Sequence, residues 1–401
     1  MATKRKGLEI DPATIQGTKH LRKVFRLFDG LAEVGCERDL AGNRELFFSQ
    51  YAALVLLGLF NPTLQSLNAL SEASRLRKIQ KLLRGPKASV GSLSESVRIF
   101  DPKHLEAIFL EMLAGLPTVP ARPCRDIPDE LVRRLTAVDG SALRALPAIV
   151  AGVQSGSGKW RMHLQFEVWR EIPQGMVVTE DEVGGEADER SVLARTLQPG
   201  RIYIIDRGYE RYRLFERIVQ NGSDYVCRVQ RRPMNVVTSQ PLSREAQEAG
   251  LVSDEIVVLG HSRSEVGAVT HSVRRLVIAG GGPGRPRTDR PKSDEIILLT
   301  SLVHLPAEQV AAIYRLRWSI ELFFRFLKHV LGCRHLLSHQ PNGIAIQIYC
   351  ALIAALLLSQ LLGHSVGRRG FELICLYLQG WAEPDEVLAG LARLRRAKTN
   401  G

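Results

Sequence analysis

The stretch Arg201–Val229 constrains the fold more than any other part of the chain. Arg201–Asp206 (RIYIID) is an apolar run that ends on an acid. Tyr209–Gln220 repeats its apolar residues at helical spacing, and Tyr225–Val229 is apolar again. Strand, amphipathic helix and strand in that order need a sheet with a crossover helix on its face. The residues before it extend the pattern. Arg134–Gly140 (RLTAVDG) is a short strand-like run, Trp160–Glu171 alternates as a strand, Gly175–Val178 is a third candidate, and Arg190–Leu197 reads as a helix. Three strands, a helix, a strand, a helix and a strand predict an α/β domain built on a mixed sheet.

The flanking regions differ in character. Residues 1–128 read as helical, with segments at Ala13–Leu31, Arg44–Leu59 and Arg75–Lys87, a possible start at Ser92, and an amphipathic run His104–Leu113. Pro117, Pro120, Pro123 and Pro128 mark a linker. Residues 231–293 carry short β-like pieces (Glu255–Leu259, Ala268–Val269, Arg274–Ile278) and a Gly/Pro/Arg-rich loop, Gly280–Arg287. Glu295–Leu302 resumes a buried strand. It leads through Pro306 into a helix expected over Gln309–Leu331, and apolar helices follow at Ile344–Leu362 and Phe371–Leu378. The expected division is 1–128 helical, 129–230 with 294–365 as the α/β domain, 231–293 as a β-rich insertion, and 366–401 as a helical tail.

Charge narrows the class of partner. Lys and Arg number 54 against 42 Asp and Glu, a formal net charge of +12, which suits a polyanion. The basic faces of the N-terminal helices read equally as a DNA-binding head or as solvated charge. The six cysteines form no CxxC pair, which argues against a zinc module. The N-terminus is polar and lacks the pattern of a signal peptide. Ile344–Leu362 is about long enough to cross a bilayer, but Gln347, Ser359 and Gln360 interrupt it, so it is expected to be buried in a soluble, intracellular protein with no membrane contact.

Three acids carry the candidate chemistry. Asp139 and Asp206 each end a strand-like run and are followed closely by Gly140 and Gly208. If the two strands are neighbours, the carboxylates lie a few ångströms apart, and a proton or cation must relieve their repulsion. Mg²⁺ or Mn²⁺ is the usual hard-cation answer. Glu321 would complete a site for two ions about 3.5–4 Å apart. On an unbroken helix Tyr314, Arg317, Glu321 and Lys328 fall within an arc of about 60°, with Trp318 about 40° from Tyr314 on the other side. On geometry alone, Arg317 and Glu321 are an i,i+4 ion pair, and each aspartate is a turn residue.

Other patterns fail. Ser155–Lys159 has neither the glycine six residues before its lysine nor the Ser/Thr after it that a phosphate loop needs. Gly363–Gly367 matches GxSxG, but an apolar helix precedes it where an elbow needs a strand. His163 reads as a sheet residue, which with Lys159 could border a DNA groove, and the acidic stretch Glu180–Glu189 as a solvated loop.

Taken together, Tyr314, Arg317, Glu321 and Lys328 spell Y-x2-R-x3-E-x6-K without a gap, downstream of VDGS at Asp139 and IIDRGY at Asp206. This resembles the YREK signature and the two acidic motifs of DDE transposases of bacterial insertion sequences, over about residues 40–380. The resemblance implies a ribonuclease-H-like domain split by a β-rich insertion, with a catalytic triad of Asp139, Asp206 and Glu321 binding two Mg²⁺ or Mn²⁺ ions. It implies nicking of double-stranded DNA at terminal inverted repeats, then attack of the 3′-hydroxyl on target DNA, by a homodimer or higher assembly at the bacterial nucleoid in the cytoplasm. Tyr314, Arg317 and Lys328 would contact phosphates. Residues 230–294 contain no Trp, Tyr or Phe on which a base could stack, so stacking would fall to Trp318 or to the Arg285 or Arg287 plane. A catalytically silent DNA-binding descendant and a structure-selective nuclease are the alternatives.

Overall fold

The computed structural model describes residues 28–31, 37–39, 42, 44–61, 63–83, 85, 87–116, 124, 126–143, 160–180, 185–259, 269–279, 295–329, 331, 336–362, 367–379 and 381–399. The chain forms two compact units. One comprises Met1–Val119, Leu143–Trp160 and Phe323–Gly401, the other Pro120–Ala142 and Arg161–Leu322. Most of Ala13–Leu31, the Pro117–Pro123 stretch, Ser155–Lys159 and Gly280–Arg287 lie outside the described residues, as do Ala268 and most of Gly363–Gly367.

The first unit is helical. Its N-terminal helices are α1 (Phe48–Leu59), α2 (Leu67–Ser74), α3 (Arg77–Leu83), α4 (Val90–Ile99) and α5 (Lys103–Ala114). Helix α4 starts before the expected Ser92 because Ser89 caps it, accepting from the Ser92 N–H at 3.0 Å. Helix α1 is apolar all round and is buried all round. Phe48 stacks on Phe100 with ring centroids 4.6 Å apart, and the Arg44 guanidinium lies over the other aromatic partner, Phe100.

The second unit opens with α6 (Asp129–Arg134), β1 (Leu135–Leu143), β2 (Trp160–Glu167) and β3 (Ile172–Glu180). There follow α7 (Glu189–Arg195), β4 (Ile202–Ile205), α8 (Tyr212–Gln220) and β5 (Asp224–Val229). The segment expected to be β-rich supplies β6 (Asn235–Ser239), a short helix α9 (Arg244–Glu248), β7 (Leu251–Val258) and β8 (Val273–Ile278). Then come β9 (Ile296–Thr300), α10 (Ala307–Arg315) and α11 (Trp318–His329), of which the residues from Phe323 on are counted with the first unit. All nine strands join one sheet in the order β3-β2-β1-β4-β5-β9-β8-β7-β6. β1, β4 and β5 are mutually parallel, and β9 runs antiparallel to β5. The 3-2-1-4-5 order with a parallel β1-β4-β5 core is ribonuclease-H-like. β6 to β8 extend the same sheet outward from β9 by antiparallel pairing.

Helix α8 covers this sheet with Tyr212, Leu214, Phe215 and Ile218. Phe215 stacks on Tyr225 of β5 at 4.4 Å. Each such buried side chain contributes roughly 1.5–3 kcal/mol.

Two expectations need correction. Asp139 does not end its strand, because β1 runs on to Leu143. The expected single helix Gln309–Leu331 is two helices, broken at Leu316–Arg317. Through the break the backbone hydrogen bonds tighten to three-residue spacing, Arg317 to Tyr314, Ser319 to Leu316 and Ile320 to Arg317. The Ser319 hydroxyl also donates to the Leu316 carbonyl at 2.7 Å, back-bonding of the kind that bends helices.

The first unit resumes with α12 (Pro341–Leu362), α13 (Arg368–Leu378) and α14 (Pro384–Thr399). Helix α12 is long and apolar enough to cross a membrane by length and composition. Here it is a core helix packed on α1, α4 and α5. The Cys350 thiol donates to the Ala52 carbonyl, and Tyr349 meets Phe109.

Candidate active site

Parallel pairing places the two aspartates. β1 and β4 are aligned as Leu135↔Ile202, Thr136↔Tyr203 and Ala137↔Ile204. Two further steps of that register set Asp139 level with Asp206, on strands that pair about 4.8 Å apart. β4 is buried throughout, and burial along β1 relaxes from Asp139 onward. Both acids therefore sit just past the paired stretch of the two parallel strands, Asp139 within β1 and Asp206 one residue beyond β4, on the carboxyl side where α/β sheets usually place ligands. On the other side β4 and β5 align Ile205 with Cys227, which sets Arg228 level with Asp206.

Hydrogen bonds fix the carboxylates. Asp139 Oδ1 accepts from the Gly140 N–H and Asp206 Oδ1 from the Arg207 N–H, both at 2.8 Å. The Tyr314 hydroxyl donates to Asp206 Oδ1 at 3.4 Å. Burial pushes the Asp139 carboxyl up to about 6. The Gly140 N–H and the Arg317 charge oppose the rise, and the Glu189 and Asp206 charges add to it. Burial, with the Asp206 charge, pushes the Tyr314 phenol up to about 12.

Arg317 lies in the break between α10 and α11. Its Nη2 donates to Glu321 Oε1 at 2.6 Å, and its guanidinium sits 5.9 Å from the Tyr314 ring centroid. Burial works against its charge, but the Glu321 hydrogen bond and the Tyr314 and Asp206 charges outweigh that and raise its pKa. Trp318 is 52% exposed and Leu322, one turn on, is 49% exposed. Lys328 is half-buried and belongs to the first unit.

Asp139, Asp206, Tyr314 and Arg317 thus share one electrostatic neighbourhood, and Glu321 is tied to it through Arg317. Among the described residues no group of three or more His, Cys, Asp or Glu side chains converges as a metal cage. The aspartate pair itself fits a divalent cation. It is an all-oxygen donor set, and the raised Asp139 carboxyl marks a place where a cation would relieve the cost of burying a carboxylate beside another. Glu321 faces Arg317 and adds no ligand in this arrangement.

Four nearby residues escape sequence reasoning. Glu189 is not part of a solvated loop. It is the first residue of α7, and its carboxylate is paired with Arg161 of β2. Tyr209 is buried with a hydroxyl that has no hydrogen-bond partner. Arg228 lies within β5 and Arg161 within β2, and no spacing rule singles them out. Register alone would have found Arg228. His163 is a sheet residue, as expected, with Nε2 2.8 Å from the Thr179 hydroxyl.

The sequence matches the transposase DDE domain family over residues 131–357, more than half of the chain. A relative in Sinorhizobium fredii (strain NBRC 101917 / NGR234), y4zB, is 28% identical over 199 residues, 49% of this chain and 52% of the relative. The transposase for insertion sequence element IS421 of Escherichia coli is 26% identical over 261 residues, 58% of this chain and 67% of that protein. The chain thus spans about half to two thirds of the length of these relatives. Among solved structures, a piggyBac transposase synaptic complex with hairpin DNA aligns over 92% of this chain and 80% of its own, with 11% identity and a TM-score of 0.45. With the match running from α6 through β1, the strand of Asp139, to the long helix α12, the chain belongs to the transposase DDE domain family.

Proposed function

We propose that the chain is the transposase of an insertion sequence, which nicks double-stranded DNA at terminal inverted repeats and joins the freed 3′-hydroxyl to target DNA. The observation that carries this reading is the level placement of Asp139 and Asp206 on adjacent parallel strands, just past their paired stretch. Proteins of this family generally use divalent metal ions. Asp139 and Asp206 would hold Mg²⁺ or Mn²⁺, two ions in the full site, with Glu321 the third ligand once it parts from Arg317. Bound there, such ions would lower the pKa of an attacking water or hydroxyl and stabilise the leaving oxygen.

The protein's own side chains do the rest. The Tyr314 hydroxyl orients the Asp206 carboxylate. Arg317 can exchange Glu321 for a DNA phosphate, which its planar fork binds bidentately. Lys328 would add a phosphate contact, and exposed Trp318 a stacking surface for a base. Residues 1–128 would bind the element ends, 129–230 with 294–365 would form the catalytic domain, 231–293 the insertion and 366–401 the tail. The net charge of +12 supports a DNA partner. A homodimer or higher assembly in the bacterial cytoplasm, at the nucleoid, completes the reading.

The test uses a labelled duplex ending in the inverted repeat that flanks the gene, with Mg²⁺. Asp139→Ala, Asp206→Ala and Glu321→Ala should each abolish cleavage while end binding persists. Cleavage surviving in any of them removes that residue from the triad. A wild-type chain that binds but never cuts is the silent descendant, and one that cuts without joining is a nuclease.

A further inference from the structure

The glycines one residue after Asp139 and two residues after Asp206 face the same side chain. A Cβ at Gly140 would lie 2.5 Å from Glu189 Oε1 and 3.0 Å from its Cδ. A Cβ at Gly208 would lie 3.1 Å from Glu189 Oε2. One carboxylate therefore rests against both acid-bearing segments: a side chain at Gly140 would have to displace it, and one at Gly208 would press on it. Glu189 is not loosely placed. Arg161 of β2 grips Oε1, the side chain is 19% exposed, and Asp188, clamped by Arg190 at 2.6 Å, caps the helix that begins at Glu189. Tyr209 is buried within the fields of Glu189 and Asp139, and among the described residues its hydroxyl has no hydrogen-bond partner.

We propose that Glu189, tethered by Arg161, is a positioning residue for the reaction: its carboxylate is the spacer that sets the separation of the Asp139–Gly140 and Asp206–Gly208 segments. Metal geometry tolerates little error, since outer-shell partners are commonly worth about 10–100-fold in metal affinity or activity. Arg161 balances the spacer's charge, so the third carboxylate adds shape to the site without a further need for cation. This rests on the reading of Asp139 and Asp206 as metal ligands.

Full-length Glu189→Ala and Glu189→Gln are compared with Asp139→Ala and Asp206→Ala. Three quantities are read: Mn²⁺ binding by electron paramagnetic resonance of the free ion, cleavage of the labelled end across a Mn²⁺ titration, and end binding by gel shift. Glu189→Ala should weaken Mn²⁺ binding and cleavage about 10–100-fold, with the titration shifted to higher Mn²⁺. End binding should hold. Glu189→Gln keeps the length and still accepts from Arg161, so it should recover at least a tenth of wild-type cleavage. Wild-type Mn²⁺ binding and cleavage in Glu189→Ala overturns the spacer. So does a glutamine variant as silent in Mn²⁺ binding as Asp139→Ala, because the carboxylate is then itself a ligand. If Glu189→Ala fails to fold, Glu189→Asp, which shortens the spacer by one methylene, is read in its place, and wild-type Mn²⁺ binding and cleavage in it overturns the spacer. Cleavage by both aspartate variants overturns the proposed function instead. Silent aspartate variants beside a normal Glu189→Ala overturn this inference alone.

Discussion

Arg317 Nη2 and Glu321 Oε1 are 2.6 Å apart, so the residue expected to be the third metal ligand is held by the residue expected to hold a phosphate. The pair is partly buried, its side chains 12% and 28% exposed, and after allowance for solvent screening such a pair is worth about 1 kcal/mol. Arg317→Gln should therefore strengthen Mn²⁺ binding by the DNA-free chain about fivefold, the equivalent of that energy. It should also lower end cleavage, since the phosphate clamp is gone. Calorimetric Mn²⁺ titration and the cleavage assay read the two effects separately, and weaker Mn²⁺ binding in the variant would contradict the competition.

The raised Asp139 carboxyl makes metal-free stability depend on pH. Its folded value is about 6 against an ordinary 3.8. A raised carboxyl favours the fold fully below the unfolded value, and that contribution is lost as pH rises through about 6. At pH 7 in EDTA, Asp139→Asn should be more stable than wild type by about 1–2 kcal/mol, and the gap should close as pH falls towards 4. Saturating Mn²⁺ should reverse the order, because only the wild type gains from binding. Thermal unfolding at several pH values checks both signs.

Within the second unit, Arg274 and Asp254 form a buried pair on β8 and β7. Arg274 Nη2 meets Asp254 Oδ2 at 2.5 Å, and Nη1 donates to the Leu302 carbonyl at 3.4 Å and to that of Leu305. This ties the outer strands to the turn that enters α10. Asp254→Ala leaves a buried cation uncompensated and should cost about 3–5 kcal/mol. A loss below about 1 kcal/mol in chemical unfolding would show that the pair is dispensable.

Trp318 is exposed, so its removal should not disturb packing. Trp318→Ala should change stability by less than about 0.5 kcal/mol. If a base stacks on it, DNA binding should weaken by about 1–3 kcal/mol, greatest on ends with an unpaired terminal base. Equal affinity of variant and wild type for such ends would assign the exposed ring another role.

Much of this architecture is legible in the linear chain because it rests on local periodicity. The apolar runs of β4 and β5 and the amphipathic α8 each report burial through side-chain spacing, and their limits move by three residues or fewer. The buried α12 is equally plain, since Gln347 and Gln360 are unlike a lipid-facing helix. The break at Leu316–Arg317 is not legible. It shows only in the three-residue backbone bonds and the Ser319 hydroxyl bond to the Leu316 carbonyl, while the apolar spacing runs through it undisturbed.

The same division holds at the candidate site. By itself the sequence determined the kinds of group present and their order: two acids each followed closely by glycine, then Tyr, Arg, Glu and Lys at family spacing, on a chain with excess positive charge. Only the tertiary structure decided which of them meet. Strand register, a long-range property, brings Asp139 level with Asp206, and Glu189 reaches both Gly140 and Gly208 from a helix about fifty residues after the first and about twenty before the second. Those glycines look like turn residues in the sequence. In the fold a carboxylate remote in the chain lies 2.5 Å and 3.1 Å from where a Cβ would stand at Gly140 and Gly208.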